Sequence, residues 1–178
     1  MAKLHRQSFP LSTTKALHCF DLLHVDIWGP YPHRTYNGSR FFLTIVDHYS
    51  RATWVHLLAH KSNAFPLLKA FVNFVTTQFG TSVQVIGTDN GMEFKEGLAL
   101  AFYRDKGIVH QTSCMDTPQQ NGVVERKHQH WLQVTRALMF KSNLPRKYWG
   151  EALLTAIYLI NRMPTLILDN QSPFEVLH

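Results

Sequence analysis

Three of the twelve acidic residues stand in settings that could support chemistry. Asp26 interrupts the apolar run LLHVDIWGP, Asp89 follows a short apolar stretch in VIGTDNGMEF, and Glu125 sits in TPQQNGVVERKH, with 35 residues between the last two. Carboxylates gathered from two strands and a helix offer the hard oxygen donors that divalent metal ions need, and such ions drive phosphodiester chemistry. Each acid also has a plainer explanation. An ionised carboxylate in an apolar strand is costly unless paired or metal-bound, so the strand could instead end early and leave Asp26 exposed. Asp-Asn-Gly is an ordinary turn signal, although the end of a strand is also where α/β sites collect. A glutamate beside Arg126 and Lys127 in a helix is usually a solvated surface residue.

The surrounding pattern predicts the elements that would position these acids. Leu22–Trp28 reads as a strand closed by Gly29-Pro30. FFLTIVD is apolar at nearly every position, as a central strand covered on both faces would be, and ATWVHLLA reads as its hairpin partner. Ser62 is placed to cap a helix whose apolar positions Phe65, Leu68, Val72, Val75 and Phe79 follow helical spacing to a stop at Gly80. A strand over Val83–Gly87, a helix from about Lys95 to Lys106 stopped by Gly107, and a strand over Ile108–Gln111 come next. Two long helices follow, roughly Gln120–Lys141 and Pro145–Arg162, the second with proline at a favoured first helical position. Ser172-Pro173 opens a last short helix. Strands first, then alternating helices and strands, then helices, indicate a mixed α/β sheet with helical cover. The helix between the third and fourth strands lets the fourth lie parallel to the first, which would set Asp26 beside Asp89.

Composition narrows the class. A chain of 178 residues, 45% hydrophobic and 17% charged, can bury one full core. No apolar run approaches the length of a membrane span, and MAKLHRQSFPLS has basic residues without an apolar stretch behind them, against secretion. Cys19 and Cys114 are far apart and form no CxxC pair, so both read as buried or incidental thiols. The net charge of +6 suits a polyanionic partner such as nucleic acid, without proving one. His128 and His130 fall on different faces of their helix, which is not a metal-ligand spacing. The four tryptophans sit on strands or apolar helix faces and read as core.

HVDIWGP, FFLTIVDHYSRATWV, GTDNGMEF, TPQQNGVVERKH and LPRKYWGEALLTAIYLINRMPT together resemble the catalytic core of a copia-type retrotransposon integrase, over about residues 15–178. The resemblance implies an RNase H-like fold, a five-stranded mixed sheet flanked by helices. It also implies a D, D-35-E triad at Asp26, Asp89 and Glu125, holding two Mg²⁺ or Mn²⁺ ions that join DNA 3′-OH ends to a target phosphodiester. In that scheme Asp26 bridges both ions while Asp89 and Glu125 hold one each. Gln119, Gln120, Asn121, Gln129 and Arg136 are candidate DNA contacts. Arg126 and Lys127 read as either a phosphate contact or a solvated pair. The family often has a second acid where His48 stands, so this position departs from the pattern, and Asp47 reads as structural or as a support behind the metal ligands. Met92 replaces a common glycine and is expected to crowd the loop after Asp89.

These expectations divide the chain into a basic arm (1–20), a catalytic core (21–165) and a truncated extension (166–178). Full-length relatives carry a zinc-binding domain before the core and a DNA-binding region after it. DNA partners, a homo-oligomeric state in the full-length protein, no membrane, and a nuclear rather than secreted location are therefore expected. The competing expectations are a non-catalytic DNA-binding remnant lacking those flanking regions, and an RNase H-like nuclease that hydrolyses without joining ends.

Overall fold

In the computed structural model, the described residues are 16–112 and 122–178, with side chains over 16–112 and 127–178. The strands are β1 (Leu22–Trp28), β2 (Phe41–Asp47), β3 (Thr53–Leu58), β4 (Val85–Thr88) and β5 (Val109–Thr112). The helices are α1 (Ala64–Phe79), α2 (Gly97–Lys106), α3 (Gly122–Lys141), α4 (Trp149–Ile160) and α5 (Pro173–Leu177). No helix of the described residues is long and apolar enough to cross a membrane.

The five strands form one mixed sheet in the order β3-β2-β1-β4-β5. β2 runs antiparallel to both its neighbours, β1 and β3, with Asp26 opposite Thr44. β4 then pairs parallel to β1, with Val25 opposite Thr88, and β5 pairs parallel to β4. The connection from β3 to β4 runs through α1, the crossover that a parallel neighbour requires.

Alternation along β1 decides which face carries the site, since successive side chains of a strand point to opposite faces. Leu23 and Val25 lie fully buried in the larger core with Leu43, Ile45, Leu68, Val72 and Ile86. Trp28, with the opposite phase, packs in the second core with Phe42, Val46, Trp131, Trp149 and Leu153. Asp26 shares the phase of Trp28, so it belongs to the face covered by α3 and α4. From Phe42 to Asp47 every residue of β2 is buried, as its continuous apolar pattern requires. The tryptophans pack as expected: Trp131 and Trp149 are fully buried, while Trp28 and Trp54 are half-buried against the two cores.

Several helix starts differ from the pattern-based expectation. Lys61–Asn63 forms a 3₁₀ turn, the Asn63 side chain accepts from the His60 N–H at 3.3 Å, and α1 begins at Ala64, so Ser62 is not its cap. Pro145 keeps an extended backbone (φ −58°, ψ 145°) ahead of a 3₁₀ turn over Arg146–Tyr148, which delays α4 to Trp149. A further 3₁₀ turn, Met92–Phe94, precedes α2. Gly80 and Gly107 end their helices with φ of 63° and 67°, a left-handed conformation that glycine adopts without steric cost.

Both ends of the described chain pack onto the sheet. Phe20 is buried in the larger core, and the N–H of Phe20 donates to Asp47 Oδ1 at 2.8 Å. α5 opens with a capping box between Ser172 and Glu175, and Leu177 packs against the same core. Cys19 is half-buried there, its Sγ 3.7 Å from the Val176 carbonyl oxygen; Cys114 lies outside the described residues.

Asp47 is the hub of this region. Fully buried, it also accepts from the Ser50 N–H at 2.8 Å and the Ser50 hydroxyl at 2.6 Å, closing the β2–β3 turn. Asp47→Ala would strand these donors in the interior, at a cost of about 3 kcal/mol. Urea unfolding of the variant against the wild type checks this, and a change under about 1 kcal/mol would contradict the structural role.

Candidate active site

The sheet brings two of the three predicted acids together. Asp26 lies on β1, one residue beyond the Val25–Thr88 pair, and Asp89 is the residue after β4 ends, so the two occupy neighbouring positions on adjacent parallel strands. Asp26 Oδ1 accepts from the following Ile27 N–H at 2.8 Å. Asp89 Oδ1 accepts from the Gly91 N–H at 2.9 Å, an Asx turn that folds the loop back on the carboxylate. Thr88, beneath Asp89, contacts His110 Nε2 on β5 at 2.9 Å through its hydroxyl, anchoring the strand end.

Glu125 lies in the first turns of α3; its side chain is outside the described residues. One turn later the same helix meets the site. His128 is 4% exposed, its Nδ1 3.7 Å from Asp26 Oδ2 and its Nε2 3.0 Å from the Thr44 hydroxyl. Thr44 is the β2 residue opposite Asp26. The tautomer suiting both neighbours carries its proton on Nδ1 toward the carboxylate and accepts the Thr44 proton at Nε2. Burial holds the imidazole neutral, lowering its pKa from 6.5 to about 4.

Two carboxylates approach the Gly91 backbone closely. A Cβ there would lie 2.9 Å from both Asp89 Oδ1 and Glu93 Oε2. Glu93 is thus a third acid near the β4 end, missed because GMEF carries no signal beyond a turn. Met92 is 63% exposed, so it points to solvent instead of crowding this loop.

Behind Asp26 on the same face of β1 lies a basic, largely buried group. His24 Nε2 and His48 Nδ1 are 2.8 Å apart, so one ring donates and the other accepts. Burial, then the neighbouring His48, Arg51 and Lys127, lowers the His24 pKa to about 4. Lys127 does not stand as a solvated partner of Arg126. Its Nζ donates to the Arg51 carbonyl at 2.9 Å and to Thr53 Oγ1 at 3.3 Å, which ties α3 to the β2–β3 turn. Burial, then the Arg51 charge, lowers the Lys127 pKa to about 8 despite the pull of Asp47.

The remaining candidates are dispersed. Gln129 is exposed on α3, while Gln119, Gln120 and Asn121 lie outside the described residues. Arg136 is exposed two turns beyond His128, about 12 Å along the axis, and lines a groove with Tyr31, Pro32 and His33. Among the described residues no three His, Cys, Asp or Glu side chains form a ready metal site. Asp26 and Asp89 nevertheless supply adjacent hard oxygen donors, which suit Mg²⁺ or Mn²⁺.

A five-stranded mixed sheet of this order, with Asp26 within β1, Asp89 just past the parallel β4 and a helix packed over β1, is an RNase H-like core. The integrase core domain family model matches residues 18–118, which include Asp26 and Asp89. This chain therefore belongs to the integrase core domain family. Relatives include the retrovirus-related Pol polyproteins from transposon TNT 1-94 of Nicotiana tabacum (34% identical over 174 residues) and from transposons RE1 and RE2 of Arabidopsis thaliana (34% and 35% over 176 residues). Each alignment covers 98% of this chain, which spans only 12–13% of those polyproteins.

Solved structures share the fold at low identity. A chain of the simian T-cell lymphotropic virus intasome superposes with a TM-score of 0.76 at 18% identity, over 99% of this chain and 60% of that one. The HTLV-2 integrase catalytic core domain in complex with magnesium, in its trimeric form, gives 0.66 at 20% identity, over 92% of this chain and all of that one.

The neutral histidines carry a pH dependence of stability. A folded-state pKa of about 4 lies below the ordinary 6.5, so each of His24 and His128 contributes stability that is present above 6.5 and lost as pH falls through 6.5 toward 4. Between pH 7 and 5 the loss is about 2 kcal/mol for each. His24→Gln, which does not titrate, should lose about 2 kcal/mol less than the wild type in urea unfolding at those two pH values. Equal losses would show that the fold does not lower the His24 pKa.

Proposed function

We propose that this domain is the catalytic core of a retrotransposon integrase, joining 3′-OH ends of element DNA to phosphodiesters of target DNA. The observation that carries this reading is the parallel pairing of β1 with β4, which places Asp26 beside Asp89 while α3, the helix bearing Glu125, packs over β1. Asp26, Asp89 and Glu125 would be the acidic triad that holds the divalent metal. The magnesium complex of the HTLV-2 core supports a divalent cofactor, Mg²⁺ or Mn²⁺. Such ions, when bound, activate the attacking 3′-OH and stabilise the leaving 3′-oxygen.

The protein's own contribution is placement. Asp26 and Asp89 are fixed by ladder register and by their backbone N–H partners, so little reorganisation is needed on binding. His128 and Thr44 hold the β1–β2–α3 junction around Asp26. Keeping His128 and His24 neutral leaves the carboxylates as the charged ligands of the site. The trimeric form of the HTLV-2 core and the simian intasome support a homo-oligomer that acts on DNA, and a nuclear location is the corresponding proposal for a reaction on target DNA.

The test is resolution of a branched DNA that resembles the strand-transfer product, in Mg²⁺ or Mn²⁺. This reverse reaction asks least of flanking domains. Resolution by the wild type is expected, and Asp89→Asn should reduce its rate by about a hundredfold or more, roughly 3 kcal/mol of transition-state stabilisation. Folded protein that binds metal and DNA yet resolves nothing would favour a non-catalytic DNA-binding domain. Hydrolysis without rejoining would favour a nuclease.

A further inference from the structure

The net positive charge of this protein is concentrated in one pair of segments. Residues 27–46 and 127–150 contain seven of the eighteen Lys and Arg residues and none of the twelve acids. They therefore carry +7, and the rest of the chain carries −1. The fold brings the two segments together. Arg146 Nη1 lies 3.0 Å from His33 Nε2, Trp149 Nε1 donates to the His33 carbonyl at 2.9 Å, and the Tyr36 N–H donates to the Lys147 carbonyl at 3.2 Å. Tyr31 stacks on Trp149 with ring centroids 4.6 Å apart, which fixes the loop after β1 against the start of α4.

Between them lies an open groove of about 850 Å³, lined by Tyr31, His33, Arg136, Phe140, Asn143 and Arg146, among others. Arg34, Lys141 and Lys147 are exposed on the same two segments. The groove sits at the end of α3 away from Glu125.

We infer that this groove grips the sugar-phosphate backbone of duplex DNA, independently of base sequence and of metal. Exposed guanidinium and ammonium groups with no carboxylate among them fit a polyanion, and Arg donors match phosphate oxygens in pairs. Phe140, 91% exposed at the rim, and Tyr31 give the groove apolar walls without a base-reading array of Asn and Gln. The site extends the DNA partner of the proposed integrase reading, and so rests on it, but it requires no catalysis.

Fluorescence anisotropy with a labelled random-sequence duplex of about 30 bp, in EDTA and across a salt series, tests the groove. Arg136→Gln/Arg146→Gln should weaken binding about tenfold near 0.1 M salt and reduce the slope of log affinity against log salt by about 2, one unit per lost phosphate contact. Lys69→Gln/Lys106→Gln, on α1 and α2, should change affinity less than about twofold. Circular dichroism melting confirms that both variants are folded.

Equal weakening by both pairs, an unchanged salt slope, or absence of wild-type binding would overturn the inference. Displacement of the duplex by poly-glutamate at matched charge would also overturn it, and would assign the groove to an acidic protein segment instead. The two readings fail separately. Wild-type protein that binds through the groove but resolves no branched DNA defeats only the proposed chemistry. Branched-DNA resolution with an unaltered salt slope in the arginine variant defeats only the groove.

Discussion

Parallel pairing of β1 with β4 is the constraint on which the remainder of the domain depends. A parallel neighbour cannot be reached by a tight turn, so α1 must cross the sheet between β3 and β4. The crossover buries one face of the sheet under α1 and leaves the other to α3 and α4. It also sets Asp26, still paired with Thr44 in the ladder, beside the point where β4 ends and Asp89 leaves it. Asp26 and Asp89 are neighbours because of that register and not through any attraction between them, since two like charges repel.

The polar residues around Asp26 show how such a site is kept stable within a packed interior. Burying ionisable groups is costly unless they are neutralised or hydrogen-bonded. Here His24 and His48 share a hydrogen bond, His128 rests on Thr44, and Lys127 donates to a backbone carbonyl and a threonine hydroxyl. Each contact also crosses between elements, so the groups that lower the cost of burial are the same ones that lock α3 onto the hairpin. Asp47 does the equivalent for the N-terminal approach through Phe20.

The place of β5 in the sheet was not legible, but the number of strands and helices, the β2–β3 hairpin and the parallel β1–β4 pair were, because strand and helix periods are strong signals. The apolar run of β2 and the Gly80 and Gly107 stops illustrate this. Helix starts were less legible: Pro145 and Ser62 both satisfy general preferences, but short 3₁₀ turns intervene where the chain changes direction. Asp26 and Asp89 were recoverable from motif and crossover together. The environment of Lys127 was not, because nothing in ERKH tells which of two adjacent cations faces a β-turn. Glu93 and the His24–His48 pair arise from proximity across the sheet, which local patterns do not encode. The segregation of charge was countable in the sequence, but segments 81 residues apart, by the gap from Val46 to Lys127, acquire meaning only when the fold joins them.

The length of α3 has a metric consequence. Glu125 and Arg136 are separated by eleven residues of one continuous helix, about 16 Å along its axis. Duplex DNA advances 3.4 Å per base pair, so that span corresponds to about five base-pair steps. With Glu125 at the proposed site of reaction and Arg136 in the proposed DNA groove, a rigid rod of this kind would set a calibrated interval between grip and reaction, with no need to recognise the bases in between. Insertion or removal of residues within α3 would therefore rotate one end about the other by about 100° for each residue as well as shift it, coupling distance to orientation in a single element.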